Sequence, residues 1–261
     1  MAIALVTGAT AGIGESFCRL LASKGYDLVL VARNEARLEE RANELRAKYS
    51  IGVEILAADL SLPEQLAKVE ARVQDTKEPI EVLINNAGFG IKESFLQSSI
   101  EAEQRLLDVL VTAPMRLMHA ALPRMKDADS GIILNVSSVA GWIAGGTYSA
   151  AKSYLTVISE ALHTELSDTK VKVHVLCPGF THTEFHQRGR MNMKGLPEFM
   201  WLDADRVVAT AWANAVAGKA ISIPGWQYLT LSTLARFGPR PMVRKLGMGV
   251  RKRQRREAKH T

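Results

Sequence analysis

Met1-Ala2-Ile3-Ala4-Leu5-Val6-Thr7-Gly8-Ala9-Thr10-Ala11-Gly12-Ile13-Gly14 carries a short apolar strand directly into a glycine-rich turn, and the helical spacing of Phe17, Leu20 and Leu21 follows at once. Glycines at such a junction let the backbone approach a pyrophosphate without a Cβ clash. The unpaired N–H groups and the dipole of the helix start then favour its negative charge. Strand, glycine turn and helix N-terminus in this order predict an anion site.

Working outward, apolar strand-like runs alternate with helical patterns. Leu28–Ala32 is followed by a charged helix over Glu35–Tyr49, Val53–Ala58 by a helix opened by Ser61, Pro63 and Glu64, and Val82–Asn85 by a long helix through Leu106–Met125. Ile132–Val136, a helix carrying Tyr148 and Lys152, Val171–Leu176, a helix over Ala204–Ala217 and a last strand at Ile221–Pro224 complete the series. The alternation predicts an α/β fold with a parallel sheet covered on both faces.

Tyr148 and Lys152 stand four residues apart, on one face of their helix, and Ser137-Ser138 precedes them. A free phenol titrates near pH ~10 and transfers protons poorly at neutral pH, and a nearby ammonium stabilises the phenolate and lowers that value. The pair therefore predicts an acid–base group for carbonyl chemistry.

Thr7-Gly8-x-x-x-Gly12-Ile13-Gly14, Asp59-Leu60, Asn85-Asn86-Ala87-Gly88, Asn135-Val136-Ser137-Ser138, Tyr148-x-x-x-Lys152 and Pro178-Gly179 occur in that order, and together they resemble the short-chain dehydrogenase/reductase family over residues 1 to about 225. The resemblance implies a doubly wound parallel sheet, the Rossmann fold, and hydride transfer between a nicotinamide cofactor and an alcohol or carbonyl. It makes Tyr148 the proton donor in ketone reduction, Lys152 the group that lowers its pKa and binds the nicotinamide ribose, and Ser138 the hydrogen-bonding partner of the substrate oxygen. Gly8, Thr10, Gly12, Ile13 and Gly14 would surround the diphosphate, Asp59 and Leu60 would contact adenine, and Asn86, Ala87 and Gly88 would pack beside the nucleotide. Pro178, Gly179 and Thr183 would meet the nicotinamide, with Thr181 an alternative to Thr183. An acid at the end of the second strand would repel a 2′-phosphate. Arg33 stands there instead and offers it a guanidinium fork, so NADP(H) is expected over NAD(H). Arg37, one turn on, could assist it, although the commoner reading is a solvated helix residue.

Two features depart from the family pattern. Ten positions separate Ser138 from Tyr148, a shorter interval than usual, which points Trp142, Gly145 and Gly146 at a reshaped substrate entrance. Leu110 occupies the place of an asparagine that, in the family, helps position a water beside the lysine. The alternative reading is therefore a catalytically weakened regulatory or scaffold protein that keeps the nucleotide fold; the intact Ser138, Tyr148 and Lys152 weigh against it.

A chain of 261 residues with 47% apolar content suits one large domain, expected over residues 1–225 with a basic extension over 226–261. The strand at the initiator methionine leaves no room for a signal segment, and a cytoplasmic protein is expected. Cys18 and Cys177 read as packing residues. His182 and His186 lack a third ligand nearby, so no metal is expected. Residues 185–202, with Phe185, Met191, Met193, Leu196, Phe199, Met200, Trp201 and Leu202, read as a lid over an apolar carbonyl or alcohol substrate, and 189–197 as a mobile segment. Family analogy adds a homodimer or homotetramer. From Arg236 to Thr261 there are ten Lys/Arg and one acid, Glu257, a net +9, against 23 basic and 26 acidic residues before it, a net −3. With Phe237 as its one aromatic residue, this tail is ill suited to stacking on nucleic acid. A solvated, partly disordered end is one reading of it; the spacing of Met242, Leu246 and Val250 gives another, a helix starting after Pro241 that is disordered in solution and forms on a membrane surface.

Overall fold

The computed structural model describes residues 2–184 and 197–245. Phe185, His186, Met191, Met193, Leu196, the rest of 185–196, and 246–261 with Leu246 and Val250 lie outside the described residues. In chain order the elements are β1 (Ile3–Thr7), α1 (Gly12–Ser23), β2 (Asp27–Ala32), α2 (Glu35–Tyr49), β3 (Val53–Ala57), α3 (Pro63–Val73) and β4 (Ile80–Asn85). There follow α4 (Ile100–Leu107), α5 (Ala113–Asp127), β5 (Ile132–Val136), α6 (Thr147–Glu165), β6 (Lys172–Leu176), α7 (Ala204–Val216), β7 (Ile221–Ser222) and α8 (Trp226–Phe237).

The seven strands form one sheet in the order β3-β2-β1-β4-β5-β6-β7, and every pairing is parallel. Period-two alternation divides the core into two layers. Ala4, Val6, Leu28, Leu30, Val82, Ile84, Leu134 and Val136 pack with Phe17, Leu21 and Trp212 of α1 and α7. Leu5, Val29, Val31, Leu83 and Ile133 point the other way, onto Leu66, Leu117 and Leu155 of α3, α5 and α6. Both faces are thereby removed from water, as the runs of apolar residues require.

The long helix expected through Leu106–Met125 begins earlier and is interrupted. Ser99 caps α4, its side chain accepting the Ala102 N–H at 3.2 Å. Between α4 and α5, Asp108–Thr112 widen into a π-helical turn, in which the Ala113 N–H bonds to the Asp108 carbonyl. Pro114 supplies the physical reason: it has no N–H to give the Leu110 carbonyl four residues back, and its ring crowds that carbonyl.

Beyond β7 the described chain continues into α8. Tyr228 of α8 is buried, and its hydroxyl accepts the Phe180 N–H at 2.9 Å and donates to the Met200 carbonyl at 2.5 Å. A Cβ on Gly179 would lie 2.0 Å from the Tyr228 ring, so Pro178-Gly179 and α8 are fitted to one another. Residues 240–245 are helical, so this helix starts ahead of Pro241, and Val243 is buried.

Candidate active site

The order of the sheet reverses at β1, which has β2 on one side and β4 on the other, and a crevice opens beyond the carboxyl ends of these strands. The glycine turn lines it. Gly12 adopts φ +57°, and a Cβ there would meet the Thr183 side chain at 2.9 Å. A Cβ on Gly14 would lie 2.3 Å from the Gly8 carbonyl oxygen, a backbone atom that cannot step aside. Ala11 precedes α1 without a side-chain cap, which leaves the first-turn N–H groups facing the crevice without an internal acceptor from that residue. Thr10 is buried in the turn, and Ile13 packs against the core below.

Thr7 joins the two sides of the crevice, because its hydroxyl oxygen accepts the N–H groups of Asn86 at 2.9 Å and Ala87 at 3.0 Å. The Asn86 amide returns two bonds, to the carbonyls of Thr7 and Gly8. The expected nucleotide-side residues of β1 and β4 are thus one hydrogen-bonded unit.

At the far end of the crevice, Asp59 accepts from the Ser61 N–H and hydroxyl, and its other oxygen lies 2.8 Å from Arg105 and 3.9 Å from Arg33. Desolvation pushes the Asp59 carboxyl up, but the Ser61 bonds and the two guanidinium groups outweigh it and hold the group below its usual range. Arg33 remains largely exposed at the end of β2. Arg105, on α4, was not singled out by the sequence, since 46 residues separate it from Asp59. Arg37 is a partly exposed helix residue that bonds to Glu184 at 3.2 Å, next to Thr183 in the chain.

Ser138, Tyr148 and Lys152 come together where β5 ends and α6 begins. Tyr148 and Ser138 are joined by a side-chain hydrogen bond, and Ser138 Oγ also accepts the Ala140 N–H at 3.1 Å. Its neighbour Ser137 points inward instead, and its Oγ donates to the Lys152 carbonyl at 2.7 Å. Lys152 Nζ donates to the Val136 carbonyl at 2.7 Å and lies 5.8 Å from the centre of the Tyr148 ring. Desolvation pushes Lys152 down to about 8, and it pushes Tyr148 up to about 12 against the opposing Ser138 bond. Burial is the larger influence on the Tyr148 hydroxyl in this arrangement, and the Ser138 bond opposes it. Thr181 is buried and donates to the Gly179 carbonyl at 3.1 Å, so Thr183, against Gly12, is the threonine that borders the crevice.

Beside Lys152, a small interior cavity is bordered by Thr7, Leu60, Asn85, Ala87, Leu110 and Pro114. Leu110 is 1% exposed and packs with Leu106 and Ala151; one of its methyl groups lies 2.8 Å from where a Cβ on Gly88 would sit. At the entrance, the Trp142 ring lies 5.6 Å beneath the Arg236 guanidinium. His182 stacks on Trp201 at 4.7 Å and reaches Glu198 at 3.3 Å, and no group of three metal-ligating side chains occurs among the described residues.

Comparison with known proteins supplies the wider setting. A family model described as short chain dehydrogenase matches residues 2–194. A ketoacyl reductase of Nostoc sp. is 31% identical over 223 residues, 84% of this chain and 76% of that protein. A short-chain dehydrogenase from Sphingobium yanoikuyae, solved in complex with NADPH, is 34% identical with a TM-score of 0.82, covering 89% of this chain and 93% of that one. An alcohol dehydrogenase from Comamonas testosteroni, described as specific for bulky-bulky ketones, is 30% identical with a TM-score of 0.79, covering 91% and 93%.

Leu110→Asn tests how the cavity is built. Placing an amide in this apolar contact is expected to cost on the order of 2 to 4 kcal/mol in urea unfolding without raising turnover. A folded variant with faster turnover would mean that proton supply to Lys152 limits the native protein.

Proposed function

The chain belongs to the short-chain dehydrogenase family, and from that premise we propose that it transfers hydride between NADP(H) and a hydrophobic ketone or its secondary alcohol. That it is an oxidoreductase with a nicotinamide cofactor follows from the family. The observation that carries the finer reading is the meeting of Ser138, Tyr148 and Lys152 at the mouth of the crevice.

The residues present fit the cofactor. Gly8, Gly12 and Gly14 keep the turn open to a diphosphate, Asp59 and Leu60 border the adenine end, Asn86 to Gly88 line the floor, and Pro178, Gly179 and Thr183 close the nicotinamide end. Arg33 supports NADP(H), because its fork is exposed where a 2′-phosphate would lie and no acid replaces it. The NADPH complex of the Sphingobium relative supports the same choice.

When bound, the nicotinamide supplies or accepts the hydride. The chain's own contribution is to the oxygen. Reduction of a carbonyl develops negative charge there, and Ser138 and Tyr148 are two hydroxyl groups joined to each other that can donate to it. Tyr148 gives its proton to the alkoxide. Lys152 stabilises the phenolate that remains, an interaction that is stronger after proton transfer than before it. In the oxidative direction the same phenolate removes the alcohol proton. Phe199, Trp201 and Trp142 give the entrance an apolar character, which supports a hydrophobic substrate, as does the bulky-ketone specificity of the Comamonas relative.

Tyr148→Phe is expected to keep NADPH binding, followed by cofactor fluorescence, and to lower ketone reduction at least ~100-fold. Near-normal turnover of any ketone that the native protein reduces would sink the mechanism.

Arg33→Asp is expected to shift the ratio of NADPH to NADH affinity toward NADH by more than about tenfold, or ~1.4 kcal/mol. An unchanged ratio in titrations with both cofactors would remove Arg33 from 2′-phosphate recognition.

A further inference from the structure

Helix α8 is built inside out. Its buried positions are Gln227, Tyr228 and Ser232, whereas Trp226, Leu229, Leu234 and Phe237 are exposed, Trp226 by 75% and Phe237 by 82%. Trp226, Leu229, Leu234 and Phe237, with Thr230 and Thr233 between them, follow the spacing of a single helical face, opposite Tyr228 and Ser232. Met242, in the next helical segment, is exposed as well. Large apolar side chains exposed together on one face of a folded protein mark an interaction surface.

Charge identifies what covers it. Arg240, Arg244 and Lys245 are exposed directly after the apolar face, and the chain from Arg236 to Thr261 carries a net +9. A second copy seated on α8 would bring two such segments together and meet their repulsion. An anionic lipid surface attracts them, each Lys or Arg adding its own increment, and accepts the apolar side chains between them. No helix among the described residues is long and apolar enough to cross a membrane, so contact would be with the surface.

We propose that the exposed face of α8, with the cationic chain that follows it, docks this protein on an anionic membrane surface. The consequence for chemistry follows from position. α8 holds the 198–200 turn through Gln227, whose amide donates to the Phe199 carbonyl at 2.9 Å, and Arg236 covers Trp142 beside Ser138. Docking therefore sets the entrance next to the bilayer, where an apolar ketone dissolves; this last step alone rests on the reading given under Proposed function.

The test is sedimentation of the full chain with vesicles of equal parts phosphatidylcholine and phosphatidylserine, with phosphatidylcholine vesicles as control, so that its outcome does not depend on turnover. The native protein is expected to sediment with the anionic vesicles at low ionic strength, to be released by salt, and to ignore the neutral ones. Trp226→Ser with Leu234→Ser and Phe237→Ser is expected to weaken binding at least about tenfold, since it removes the inserted apolar groups but no charge. Phe237→Ser alone, at the most exposed of these positions, serves if the triple variant does not melt like the native protein. Native protein that stays in solution at low salt, or variants that sediment like native, would overturn the proposal. So would sedimentation velocity showing a native dimer that the same substitutions split, since a second copy would then occupy the face.

Discussion

A lysine ammonium held inside the protein, with a backbone carbonyl as its acceptor, is the constraint around which the site is built. Among the described residues no carboxylate forms an ion pair with Lys152; its Nζ donates to Val136 at the end of β5. Burial of a charge so weakly compensated is costly. The fold accepts it because the surrounding groups are fixed by the sheet itself. Ser137 bonds to the Lys152 carbonyl and contacts the Thr156 hydroxyl at 2.8 Å, which pins α6 to β5 and fixes the backbone that carries Lys152. The two adjacent serines divide the labour: Ser137 holds the helix, and Ser138 faces the crevice.

The same desolvation acts with opposite sign on the two partners. It drives Lys152 toward its neutral form and keeps Tyr148 protonated, so an acid and a cation stand together with their protons in place. Pro114 shapes the floor beneath them. By denying Leu110 its helical donor it opens the π-helical turn, and Leu110 then borders the cavity beside Lys152 with its side chain in an apolar contact.

Much of this was legible in the sequence because it is local. The strand-to-turn-to-helix passage at Thr7–Gly14, the i, i+4 spacing of Tyr148 and Lys152, and the apolar strands each depend on residues within one or two turns of one another. The boundaries of α2 and β5 were readable for that reason. What was not legible joins distant segments: Arg105 on Asp59, Arg37 on Glu184, and the Tyr228 ring in the space beside Gly179. No local pattern records such pairings. The π-helical turn was missed although Pro114 was visible, because a proline can equally kink or start a helix. The inverted face of α8 was unreadable for a further reason: its apolar spacing matches an ordinary core-facing helix, and only the fold shows which side Tyr228 occupies.

The most direct test of this account is the pH dependence of stability in native protein and Lys152→Met. An ammonium whose value falls from about 10.5 when unfolded to about 8 when folded destabilises the native state in full below pH 8 and not at all above 10.5. The unfolded chain binds the extra proton between these limits, so stability should rise with pH across this window. The native-minus-variant difference in unfolding free energy, from urea titrations between pH 7 and 10, should therefore climb by about 2 to 3 kcal/mol. A difference that stays flat across that range would mean that Lys152 titrates as an ordinary solvated lysine, and the buried cation at the centre of the site would be refuted.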